Sequence, residues 1–212
     1  DEENDLYVVG NIDVYSGATI TVARSSTTGN GSGQSIRVDG NLTVYGVPGT
    51  ETGSIIADGE GFTDGSGPGY GSSADGGTHG GRGGDYSLTG SVPGSYGSFT
   101  TPESLGSGGY GSCSGNGCDG GGAIIISVTG TMDVSGQLSA NGESSTSGGA
   151  GGTINITANS LTGAGIIRTN GGDASSGGFG AGGGGRISLN GVTTDNFTGN
   201  LQSNGGDNTI RR

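Results

Sequence analysis

Lysine and tryptophan are missing altogether from these 212 residues, and histidine and methionine occur once each. Without lysine there is no side-chain amine for Schiff-base chemistry. Seven arginines stand against 19 acidic residues, a formal net charge of −12, which makes nucleic acid a poor partner because such binding rests on neutralising phosphates. The lack of tryptophan removes the side chain best suited to stacking on sugar rings. The single histidine, His79, would need an activated serine and an orienting acid to form a triad. No G-x-S-x-G elbow stands in a strand-to-helix context, so His79 reads as a loop histidine. No apolar run approaches the roughly 20 residues that cross a bilayer, so no membrane insertion is expected. The opening DEENDLYVV lacks the basic and apolar parts of a signal peptide, so a secreted protein would be seen here in its mature form.

Apolar residues are scarce too: 27% of the chain is hydrophobic and 5% aromatic, against 55 glycines. Such a chain cannot fill a thick globular core. Disorder is the alternative for glycine-rich polar sequence, but the apolar residues cluster at alternating spacing, which a linker does not need. The two cysteines, Cys113 and Cys118, lie close together in GSCSGNGCDGG. A local disulfide is expected, which favours an oxidising compartment, and two sulfurs are too few ligands for a closed metal site.

What is present is repetition. GNIDVYSG at Gly10 is answered by GNLTVYG at Gly40 and GTMDVSG at Gly130, and GGAIIISV at Gly121 by GGTINITA at Gly151 and GGRISLNG at Gly184. A period of about thirty residues marks a repeat architecture. Five coils begin near Leu6, Ser35, Ala123, Thr153 and Arg186. Each holds two or three short strands rich in Ile and Val, bounded by glycine. The expected fold is all-β: a single-domain right-handed parallel β-helix (solenoid) of about five coils over residues 1–212, handed by the usual crossover rule. Coils spaced about 4.8 Å apart would make it roughly 25 Å long. A β-sandwich also needs many short strands, but not thirty-residue similarity. Coil ends recur as IIADG, LSANG, IRTNG and LQSNG, where Asn-Gly or Asp-Gly suits a turn with positive φ.

Glycine-rich loops fall at equivalent points between coils, and in the second coil that loop is enlarged into an insertion over residues 59–120. An insertion on one face of a repeat protein either covers a neighbouring edge or subunit or binds a ligand. At the ends, Leu6 and Val8 start a coil without a visible cap, and Thr209 and Ile210 in NTIRR look like the opening of a further coil. Uncapped coils expose unpaired edges, so the chain is either a fragment or meets its own copies there.

The glycine tract running into R-I-S-L (Gly182 to Leu189) and strand ends in A-N-G (Leu138 to Gly142) resemble the glycine-rich parallel β-helix repeats of secreted and cell-surface microbial proteins. The resemblance implies a pectin-lyase-like architecture and an extracellular structural or adhesive role.

Catalysis on a β-helix needs carboxylates converging on one outer face. Asp13 and Asp133 are equivalent, but Thr43 stands between them, so no enzyme is expected. Asp58, Glu60 and Asp64 in DGEGFTDG are candidate ligands for a structural calcium, and no other cofactor is expected. Sequons at Asn41 and Asn155 lie where an outward glycan would fit. The expected function is that of an extracellular or cell-surface structural protein that assembles head to tail with copies of itself. The alternative is an adhesin whose 59–120 insertion contacts a glycan or a protein.

Overall fold

A computed structural model describes residues 5–24, 33–47, 52–86, 92–110, 118–175 and 178–208. These form a parallel β-solenoid of five coils with no helix among the described residues. The first coil contributes β1 (Leu6–Val8), β2 (Ile12–Val14) and β3 (Thr19–Thr21), and the second β4 (Gln34–Val38), β5 (Leu42–Val44) and β6 (Ser54–Ile56). The third holds β7 (Ala123–Val134) and β8 (Gln137–Ser139), the fourth β9 (Thr153–Gly163) and β10 (Ile166–Arg168). The fifth comprises β11 (Arg186–Asn190), β12 (Thr194–Phe197) and β13 (Asn200–Gln202). Each coil starts at or within one residue of its repeat in the sequence.

All pairing runs from one coil to the next and is parallel. Because side chains alternate across a strand, this register stacks like on like in inward rows. Ile36, Ile126 and Ile156 form one row, Val14, Val44 and Val134 a second, and Ile55, Leu138 and Ile167 a third. These residues are buried and make up one narrow core. Each fully buried Ile or Leu stabilises the coil by about 1.5 to 3 kcal/mol.

The third side of the solenoid is built differently. Extended glycine segments at residues 76–84, 105–109, 118–122, 147–152, 171–173 and 180–185 lie side by side, joined by backbone hydrogen bonds without belonging to either sheet. Gly77 N–H donates to Gly148 O (2.9 Å), Gly148 N–H to Gly180 O (3.0 Å), Gly183 N–H to Gly77 O (2.9 Å) and Gly172 N–H to Gly149 O (2.8 Å). Each segment bonds neighbours in several directions, so the arrangement is a layer of packed backbones and not a sheet. Glycine is obligatory for steric reasons: a Cβ on Gly148 would lie 1.8 Å from Gly172 O, and one on Gly182 would lie 1.9 Å from Gly149 O. Cα–H groups facing carbonyl oxygens at this range add weak hydrogen bonds of their own.

The insertion therefore covers the solenoid's glycine edge. Gly77, Gly81 and Gly84 bond the tracts that follow the third and fourth coils, and Asp75, Thr78, His79, Leu105 and Ser107 are fully buried beneath or within it.

Candidate functional site

The coil-end motif does something other than what its turn chemistry suggests. Of the four glycines at 59, 142, 171 and 205, Gly59 alone has a positive φ (+69°). The residue before each glycine builds a ladder between coils. Asp58 Oδ1 accepts the N–H of Asn141 (2.6 Å), Asn141 Oδ1 that of Asn170 (2.8 Å), and Asn170 Oδ1 that of Asn204 (2.9 Å). In return Gly59, Gly142 and Gly171 donate their N–H to the carbonyls of Asn141, Asn170 and Asn204. A second ladder links Asn11, Asn41 and Thr131 in the same manner. These rungs satisfy the backbone where the chain leaves the sheet, and they repeat once per coil.

Among the described residues, both ends of the stack carry edges that pair on one side only. At one end are β1, β2 and β3, with Leu6 43% exposed and Val8 half-buried. At the other are β11, β12 and β13, with Leu201 48% exposed and Ile187 and Leu189 partly buried. Thr209 and Ile210 lie outside the described residues. In the terminal coil one inward apolar row is interrupted. Asp195 stands opposite Leu161, in the row that otherwise reads Ile12, Leu42, Met132 and Leu161, and it is exposed. Its Oδ1 accepts the N–H of Phe197 (3.0 Å). A charge at an inward position of an edge strand is a device that restrains indiscriminate pairing.

The carboxylates proposed for calcium serve separate ends. Asp58 is occupied by Asn141 and by Ser139 Oγ (2.8 Å). Glu60 accepts the Arg24 N–H (3.1 Å) and faces its guanidinium at 3.8 Å. Asp64 lies beside Asp119, which pairs with Arg24 at 2.9 Å; partial burial and then the Asp119 charge raise the Asp64 carboxyl above its ordinary value. Among the described residues no three His, Cys, Asp or Glu side chains are grouped to hold a metal ion.

Asn41 is exposed, with its Oδ1 engaged by Thr131. Asn155 does face outward from its strand, but the insertion covers it. It is buried, its Nδ2 donates to Pro102 O (3.2 Å) and its Oδ1 accepts from Asn190, which leaves no room for a glycan in the folded chain. Cys118 is fully buried, 3.5 Å from Ser147 Oγ, and Cys113 lies outside the described residues.

His79, read from the sequence as a loop residue, is wholly buried where the insertion meets the solenoid. Its Nδ1–H donates to Gly151 O (2.9 Å), its ring lies 4.9 Å from that of Tyr96, and among the described residues its Nε2 has no hydrogen-bond partner. Burial pushes the imidazole down to about 4, and the nearby Arg186 charge acts in the same direction. Arg186 in turn donates to Tyr96 O and packs on the Phe99 ring at 4.2 Å. This constellation locks the insertion down. Nothing in the sequence distinguished it from the surrounding loop. An open groove of about 510 Å³, between the insertion, the loop after the fourth coil and the end of the fifth, is lined in part by Arg82, Tyr86, Phe179 and Asn208.

No protein-family model, curated protein or solved structure matches the chain.

Proposed function

We propose that the chain is a non-enzymatic extracellular structural element that lengthens by stacking, head to tail, on copies of itself. The observation that carries this reading is the pair of complementary edges: at each end three parallel strands that, among the described residues, pair on one side only, with inward rows in one register. A second copy set one coil further on brings Leu6 over Leu189 and Ile20 over Leu201, and it extends the coil-end ladder by a rung. Main-chain hydrogen bonds across the junction supply affinity, and the apolar rows supply register. Asp195 would meet Ile12 of the next copy, so the contact is weakened by a poorly solvated charge and assembly is held to high concentration. The Cys113–Cys118 disulfide and an oxidising surface location belong to the same proposal.

Sedimentation velocity and negative-stain microscopy over a range of concentrations test it. Rods that form at high concentration, form at lower concentration in Asp195→Leu and vanish in Leu6→Lys are the expected result. Monomers throughout, with Asp195→Leu included, would overturn it.

The groove at Arg82, Tyr86 and Phe179 favours a second reading, an adhesin. Its paired rings, 5.8 Å apart, beside an arginine and an asparagine are suited to a saccharide. Saccharide binding by a monomer that never assembles, lost in Tyr86→Ala, would favour this reading over stacking.

A further inference from the structure

The coil-end ladder contains three Asn-Gly pairs in equivalent positions, and they are not equally protected. At Asn141 the side-chain oxygen accepts the Asn170 N–H (2.8 Å), and the following amide, Gly142 N–H, donates to Asn170 O (2.9 Å). At Asn170 the same two bonds run to Asn204 (2.9 and 2.8 Å), and Nδ2 also donates to Gln202 Oε1 (3.3 Å). In both pairs the electrophilic amide and the neighbouring backbone nitrogen are held by the next coil. Asn204 and Gly205 belong to the fifth coil, the last among the described residues. Both are exposed, and among the described residues nothing bonds Asn204 Oδ1 or the Gly205 N–H. The backbone is also less confined there. A Cβ on Gly142 or Gly171 would lie 2.0 or 2.2 Å from a carbonyl oxygen, whereas one on Gly205 would meet nothing nearer than 3.5 Å.

We infer that Asn204–Gly205 is a site of spontaneous covalent modification, a chemical record of how long the last rung of the ladder has stood uncovered. The Gly205 amide nitrogen, giving up its proton to solvent base, attacks Asn204 Cγ. The bond from Cγ to Nδ2 breaks and Nδ2 leaves as ammonia, taking a proton from water. The resulting succinimide then adds water across one of its two carbonyls to give aspartate or isoaspartate. No oxidant or cofactor enters the step. Glycine favours it because no side chain obstructs the attacking nitrogen and the backbone reaches the required conformation readily. Aspartate keeps an acceptor on the rung, as Asp58 does at the other end of the ladder, whereas isoaspartate adds a backbone atom and displaces it.

The role as a record rests on the stacking reading, but the modification itself does not. The test is peptide mapping by mass spectrometry of unassembled protein held at mildly alkaline pH, following the one-dalton gain and the isoaspartate retention shift. Asn204 should convert at least about tenfold faster than Asn141 and Asn170, which react only when the coil opens. Gly205→Ala, which the open space tolerates, should slow the conversion at Asn204 and leave the other two unchanged. Equal rates at the three sites, or an unaltered Asn204, would overturn the inference. Where rods form, Asn204 inside them should be protected. Conversion in rods as fast as in monomers, with selective conversion in monomers intact, would remove the stacking contact from this rung and leave the modification site standing.

Discussion

Acid should loosen this protein through the buried His79. Its Nδ1 carries the proton that bonds Gly151 O, so a second proton must go on Nε2, which is buried, without a partner among the described residues, and near the Arg186 charge. Tyr96, the other titratable group against the ring, is pushed upward by burial and stays neutral. The imidazole therefore ionises at about 4 when folded and at 6.5 when unfolded. Between those values the unfolded chain binds the extra proton and the folded chain does not, so stability is complete above pH 6.5 and falls as pH drops toward 4. Below that both states are protonated and the effect stops. The interval corresponds to about 3 kcal/mol. Asp64 and Glu143 pull the other way: burial raises both carboxyls, so each binds its proton earlier in the folded state and adds stability as pH falls. Urea unfolding from pH 7.5 to 4.5, in the wild type and in His79→Gln, isolates the histidine, since glutamine donates to a carbonyl without titrating. The wild type should lose about 2.5 kcal/mol more than the variant over that range. Parallel loss in the two proteins would refute the reasoning.

Two further substitutions probe the parts that hold the coils together. Gly182→Ala places a methyl 1.9 Å from Gly149 O inside the glycine layer, whereas Gly94→Ala meets nothing within 4 Å. The first should cost about 1 to 3 kcal/mol or more and the second less than about 0.5, read from urea midpoints. Asn170→Ala leaves the Asn204 N–H without its acceptor and should cost about 1 kcal/mol, while Asn170→Asp, which keeps the oxygen, should recover most of it in thermal unfolding.

The coils and their inward rows were legible in the sequence because both signals are local. Alternation marks each strand, and thirty-residue similarity places Ile126 beneath Ile36 and above Ile156. The glycine layer was not legible as structure. Its contacts join backbones with no side chains to pattern them, and the docking of Gly77, Gly81 and Gly84 on distant tracts leaves no periodic trace. His79 escaped for the same reason, since its burial exists only once the insertion has docked. Asn-Gly at the coil ends was visible but misassigned at three of four sites. The dipeptide suits a positive-φ turn and a ladder rung alike, and the signal that separates them is its recurrence at the ends of successive coils. Asp58 and Glu60, neighbours in sequence, take partners in different places: Asp58 bonds the third coil and Glu60 accepts from Arg24, pairings that adjacency in the sequence does not reveal.

The glycine layer also sets how this protein should respond to temperature. Unfolding a typical domain raises the heat capacity because exposed apolar surface outweighs exposed peptide groups, whose hydration contributes with the opposite sign. Here a whole side of the molecule is backbone against backbone, and unfolding it releases amides with almost no hydrocarbon. The heat-capacity increment per residue should fall below the usual ~12 to 15 cal/mol/K, and the stability curve should flatten accordingly. A solenoid built this way gives up less of its stability on cooling, because a smaller share of that stability depends on the hydrophobic effect.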